Sequence, residues 1–124
     1  LLLAEARAPT RRRLLLVTGF PAFLGGGEHR ALAAAARQAD QVVFTADDPG
    51  HEDPEGLIAN ALAGDAGAWA LVEPDRHRAI TRAIRVARAG DVVLLAGKGH
   101  RLVHEADGAV LPFDDRVHAL AALA

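Results

Sequence analysis

The sequence predicts a single α/β domain with a mostly parallel, Rossmann-like sheet, helices on both faces, and a small antiparallel hairpin near the C-terminus. Three observations carry this. Short continuous apolar runs alternate with segments of helical periodicity, the pattern of parallel strands covered on both faces. Gly and Pro fall mainly in the stretches between those segments or at their starts, and no linker or repeat divides residues 1–124. Asp107-Gly108 separates two short β-prone stretches, which is a hairpin signal.

The elements follow in order. Leu14 to Val17 is the first apolar run, and after a Gly/Pro loop the alanine-rich Glu28 to Gln38 reads as a helix. Gln41 to Thr45 is the second strand, followed by an acidic loop and a helix from Pro54 to Ala63, with Ile58 and Leu62 one turn apart. Ala68 to Val72 is the third strand. Pro74 to Ala89 then carries Ala79, Ile80, Ala83, Ile84 and Ala87 on one stripe, the mark of an amphipathic helix. Asp91 to Ala96 is the fourth run. Arg101 to Glu105 and Ala109 to Leu111 form the hairpin arms, and Asp114 to Ala124 closes the chain as a helix capped by Asp114 or Asp115. Residues 1–7 read as the end of a further helix.

Composition narrows the function. A net charge of -2 with interspersed signs, and Arg11-Arg12-Arg13 as the one basic cluster, argue against nucleic-acid binding. The absence of cysteine excludes disulfides, thiolate catalysis and cysteine-based zinc sites within the chain, and fits a cytoplasmic protein. Apolar stretches are far shorter than the roughly 20 residues of a membrane span. Nothing near Leu1 reads as a signal peptide. With no methionine anywhere, the chain is expected to be a piece of something longer.

Ligands of open parallel sheets gather outside the carboxyl ends of the strands. Three loops are expected there: Gly19 to Gly27, Ala46 to Asp53, and Gly97 to Arg101. The third holds Lys98, the one lysine among fourteen basic residues, between Gly97 and Gly99 and followed by His100. Lysine is a mobile point charge, and flanking glycines let backbone approach a ligand. In the second loop, Asp47 and Asp48 can grip an amine or bridge to Lys98; Asp48-Pro49-Gly50 is also an ordinary turn. Asp53 before Pro54 reads as a helix cap. His29, His77 and His118 are expected to face solvent, and His100 and His104 to fall on a loop and a strand, so no metal site is expected. The first loop lacks phosphate-loop spacing; Phe20 and Phe23 are expected to pack inward or against another domain.

In order, Thr-x-Asp-Asp-Pro-x-x-Glu-Asp-Pro from Thr45, Gly-Asp-Val-Val-Leu-x-Ala-Gly-Lys-Gly-His from Gly90, and Pro-Phe-Asp-Asp-Arg from Pro112 resemble the C-terminal domain of the Mur ligases. The nearest branch is the UDP-N-acetylmuramoyl-tripeptide synthetases. The resemblance runs from Arg13 to the C-terminus, with residues 1–12 matching the preceding helix. It implies the amino-acid-presenting lobe of a cytoplasmic, ATP-dependent amide ligase of peptidoglycan synthesis. The partner would be a central ATPase domain that supplies most of the ATP and Mg2+ binding, so the isolated chain is expected to be inactive and to hold no catalytic residue. The terminal carboxylate of UDP-MurNAc-L-Ala-D-Glu would be activated as an acyl phosphate, and the amine of a diamino acid would attack it. Carried over by matching position, Asp47, Asp48, Gly50, Gly97, Lys98, Gly99, His100 and Arg101 would form the substrate-binding set.

Three departures matter. Gly50 stands where relatives selecting meso-diaminopimelate have an arginine for the distal carboxylate, which favours lysine or ornithine. Arg101 replaces the family's glutamate, a charge reversal toward an incoming amine. The family's acidic and basic loop after the first strand is replaced by Phe20 to Gly27. These departures also admit an alternative, a Mur-like binding module that has lost ligase activity.

Overall fold

The computed structural model describes residues 13–62, 69–97, 103–106 and 109–123. The expected helix near residues 1–7, the start of the third strand at Ala68, the Asp107-Gly108 turn and the segment Lys98 to Arg101 lie outside these described residues.

Four parallel strands make the main sheet: β1 (Leu14–Gly19), β2 (Gln41–Thr45), β3 (Ala70–Val72) and β4 (Val92–Leu95), in the order β3-β2-β1-β4. Helices α1 (Gly26–Ala36), α2 (Pro54–Leu62) and α3 (Arg76–Val86) connect them. The hairpin β5 (Val103–Ala106) and β6 (Ala109–Pro112) follows, antiparallel, and α4 (Asp115–Leu123) ends the described chain.

The period of two along each strand puts successive side chains on opposite faces. Leu16 pairs with Val42 and Leu94, and this row packs under α1 and α2 with Phe20, Ala33, Phe44, Ile58 and Leu62. One step on, Val17 pairs with Val43 and Leu95, and that row packs under α3 and α4 with Ala79, Ile80, Ala83 and Ala119. Continuous apolar runs are therefore needed, because both faces are covered. Burying a side chain such as Phe44 stabilises the fold by about 1.5–3 kcal/mol. The prediction is too strong at both edges: Leu71 and Val72 of β3 are about half exposed, and β4, at the opposite edge, is only part-buried.

Caps set the helix limits. Asp75 accepts the Arg78 backbone N–H at 3.0 Å, so α3 begins at Arg76 rather than at Pro74. Asp53 accepts the Glu55 N–H at 3.3 Å, as its place before Pro54 predicts. Gly25, which has no side chain to offer, precedes α1, and the Glu28 carboxylate accepts its N–H at 3.4 Å. At α4 the two aspartates divide: Asp114 accepts the Arg116 N–H at 2.9 Å and is the cap, whereas Asp115 turns into the core.

The starts of β1 and β4 are clasped. Arg13 Nη2 donates to Asp91 Oδ2 at 2.6 Å, and the Arg88 N–H donates to the same oxygen at 2.8 Å. The Arg13 hydrogen bond, then the Arg88 amide, holds the Asp91 carboxyl below the ordinary carboxylate range. Lowered in the folded state, it contributes stability above the ordinary carboxylate pKa and loses it as pH falls through the folded value. Asp91→Asn is thus expected to be less stable than the parent chain at neutral pH, with the gap closing on acidification. Urea midpoints measured between pH 7 and pH 2 would check this; a gap independent of pH would exclude it.

Candidate functional site

The strand order reverses between β1 and β4: β2 and β3 lie to one side of β1, and β4 to the other. At such a switch point the loops leaving the carboxyl ends diverge and open a crevice. The three loops singled out from sequence leave those ends, and they touch.

Thr45, at the end of β2, leads into Ala46, Asp47, Asp48 and Pro49, all buried. Asp47 is 2% exposed and Asp48 3%, a depth at which acidic side chains are rarely found. Asp48 has φ +44, although a residue before proline is steered to extended backbone. Aspartate tolerates the left-handed region better than most side chains. The conformation is held because the Ala22 N–H of the first loop donates to the Asp48 carbonyl at 3.1 Å. Strain of this kind costs on the order of 1–3 kcal/mol and concentrates at ligand clamps.

Asp47 reaches across the end of β1. A Cβ on Gly19 would lie 2.8 Å from the Asp47 Cβ and against the Thr45 carbonyl, so only glycine lets the loop pass. On the far side Gly97 meets the Asp47 carboxylate: a Cβ there would overlap Asp47 Oδ2 and come within 3.3 Å of Cγ. Gly97 has φ +105, a conformation that L side chains rarely adopt. The acidic loop therefore meets Gly97, the residue at which the lysine-bearing loop begins. Gly50 lies in the second loop at φ +62, and a Cβ there would make ordinary van der Waals contact with the Ala22 Cβ. Lys98, Gly99, His100 and Arg101 lie outside the described residues.

The first loop is anchored from beneath. Phe20 packs inward, tilted against Phe44 at 5.0 Å between centroids, while Phe23 is exposed. His29 is buried rather than solvent-facing, with its Nε2 2.6 Å from the Pro21 carbonyl and its ring edge-on to Phe20. His77 is exposed, as expected, but touches the half-buried His118, Nδ1 to Nδ1 at 2.7 Å, and His118 stacks on Phe113. Burial, then repulsion from His77, lowers the His118 pKa from the ordinary histidine value. Among the described residues no three His, Asp or Glu side chains gather as a metal site, and no helix is long and apolar enough to cross a membrane.

Sequence reasoning missed one residue beneath this crevice. Arg76 is buried at the start of α3; its Nε and Nη2 each meet a carboxylate oxygen of Asp115 at 2.7 Å. Nη1 donates to the Ala46 carbonyl at 3.1 Å and Nη2 to the Ala96 carbonyl at 3.3 Å. The signal was present: Arg76 precedes Ala79, Ile80 and Ala83 by three, four and seven positions, which is the buried face. A cleft of about 510 Å3 opens at the other end of the strands, lined by Gln41, Trp69, Arg82 and Val86 among others. It is at the amino ends, away from the converging loops.

Residues 1–99 match the family described as Mur ligase, glutamate ligase domain. The chain belongs to the Mur ligase family. Among its relatives, the UDP-N-acetylmuramoyl-L-alanyl-D-glutamate--2,6-diaminopimelate ligase of Parasynechococcus marenigrum is 44% identical over 123 residues, covering 98% of this chain and 25% of that protein. The same-named ligase of Solibacter usitatus is 41% identical over 124 residues, covering 94% of this chain and 24% of that protein. A solved structure of a UDP-N-acetylmuramoyl-L-alanyl-D-glutamate--2,6-diaminopimelate ligase superposes with a TM-score of 0.88 at 32% identity, covering 98% of this chain and 26% of that one. The chain thus spans about a quarter of the length of these Mur ligases.

Proposed function

We propose that residues 1–124 form one domain, the amino-acid-presenting lobe of an ATP-dependent Mur-type amide ligase of peptidoglycan synthesis. In this reading ATP phosphorylates the terminal carboxylate of UDP-MurNAc-L-Ala-D-Glu, releasing ADP. The amine of a diamino acid then attacks the acyl phosphate, forming the amide and expelling phosphate. A central ATPase domain of the same cytoplasmic protein supplies most of the ATP and Mg2+ contacts, so the isolated chain is inactive. Asp47, Asp48, Gly50 and Gly97, with Lys98, Gly99, His100 and Arg101 after them, form the amino-acid cleft. The observation that carries the reading is the buried Asp47 carboxylate set against Gly97 at the topological switch point. Carboxylates held there attract an ammonium group and position it, so that the amine left after loss of a proton to water is aligned for attack.

Gly50 supports lysine or ornithine as the amino acid, while the relatives' printed names support 2,6-diaminopimelate. The test is ligation by the full-length protein, given ATP, Mg2+, UDP-MurNAc-L-Ala-D-Glu and each of lysine, ornithine and meso-diaminopimelate. Phosphate release and product mass are the readouts. Turnover with lysine or ornithine is the expected result; turnover with diaminopimelate alone would keep the ligase and overturn that choice. Silence with all three from a folded protein would favour the second reading, a binding module without ligase activity, to which Arg101 points.

Gly50→Arg would restore the family's arginine. Its Cβ would meet the Ala22 Cβ at 3.6 Å, an ordinary contact without collision, at a backbone cost of about 1–2 kcal/mol at φ +62. The variant is expected to shift the ratio of kcat/KM toward meso-diaminopimelate by about tenfold or more, the discrimination a charge-assisted bond provides. An unchanged ratio in paired assays would remove Gly50 from the selectivity argument.

A further inference from the structure

We propose that Arg76 is a positioning residue that sets the spacing between the two walls of the amino-acid cleft, an inference that rests on the ligase reading above. The walls begin at Ala46 and Ala96, immediately before Asp47 and Gly97. These residues follow β2 and β4, which are not neighbours: β1 lies between them, so no ladder bond joins the two ends. The Arg76 guanidinium spans the gap, donating to both carbonyls at 3.1 and 3.3 Å. Asp115 holds that guanidinium in plane through two bonds of 2.7 Å. One rigid fork therefore fixes α3, α4 and both loop origins, and the Asp47–Gly97 contact forms just beyond it.

Stability alone does not call for this arrangement. Buried ion pairs are often replaceable by apolar side chains of similar volume with no loss of stability. What an apolar pair lacks is donors for the Ala46 and Ala96 carbonyls. Lysine has three donors, but all sit on one nitrogen at the end of a flexible stem, so it cannot meet both carbonyls and both Asp115 oxygens as the planar five-donor fork does.

The test uses the full-length protein carrying Arg76→Met together with Asp115→Leu. Expected are a protein that still folds, melting below wild type because two carbonyls lose their donors, and KM values for ATP and UDP-MurNAc-L-Ala-D-Glu unchanged. The amino-acid KM should rise about tenfold or more, since misplacing a positioning group by an ångström can cost up to about 100-fold. Amide exchange should quicken in peptides covering residues 44–48 and 94–97. A stable double variant with an amino-acid KM within twofold of wild type would overturn the inference. Should the double variant not fold, Arg76→Lys decides: it keeps the charge opposite Asp115 and is expected to raise the same KM, and a wild-type KM would overturn the inference. A wild-type protein that ligates no amino acid would overturn the ligase reading instead. Exchange in the two loops of the folded double variant would then decide the bridge, unchanged rates overturning it.

Discussion

Asp115→Ala is expected to lower the unfolding free energy by about 3–5 kcal/mol, because it leaves the buried Arg76 guanidinium without its counter-ion. The Arg76 side chain is 1% exposed and the Asp115 side chain 5%, so water cannot take the place of the carboxylate without opening the packing of α4 on α3. Against a typical domain stability of about 5–15 kcal/mol, that loss is at least about a fifth of the total. The neighbouring pair, Arg116 with Asp114 at 3.0 Å, sits on the surface, where solvent screens such pairs; Asp114→Ala is expected to do less, chiefly by removing a cap. Urea unfolding of the two variants under one condition gives the comparison, with midpoints read at constant m. Equal losses would mean that Arg76 finds another partner and that α4 is held by its apolar contacts alone.

The contrast between these adjacent aspartates marks where the sequence was legible and where it was not. The parallel sheet was readable because its strands, covered on both faces, must be apolar at both parities: Leu16 and Val17 look alike in sequence yet serve opposite cores. The approach of the acidic loop to Gly97 was readable from topology, since strand ends in a parallel sheet share one edge. The role of Asp115 was not, because a cap and a buried counter-ion draw on the same residue type, and its partner lies 39 positions away. His29 misled for a different reason. Its neighbours Glu28 and Arg30 are exposed, but Ala33 and Ala36, four and seven positions on, share its buried face. Local composition pointed outward where helical phase pointed inward, and phase prevailed. The depth of Asp47 was also hidden, since no hydrophobic pattern announces a carboxylate taken into the interior beside a glycine.

That glycine gives the sharpest functional expectation. Gly97→Ala meets two obstacles: φ of +105 is strained for any L side chain, and the new methyl would overlap the Asp47 carboxylate. The first obstacle can be isolated. Gly90, in the turn before β4, has φ +91 and nothing within 4 Å of an added Cβ, so Gly90→Ala carries the backbone strain without the collision. Both variants are expected to lose stability, by about 1–3 kcal/mol for the backbone alone. Only Gly97→Ala should also push Asp47 aside and move the cleft wall. Under the proposed function, its kcat/KM for the amino acid should fall by about 100-fold, the scale of an ångström's misplacement near reacting groups. Gly90→Ala should stay within about threefold of wild type, since the loops it leaves intact hold the substrate. Steady-state ligation by the two full-length variants, assayed below their melting temperatures, separates the effects. Equal losses in both would mean that Gly97 matters for folding only, and the Asp47–Gly97 contact would then have no part in holding the amine.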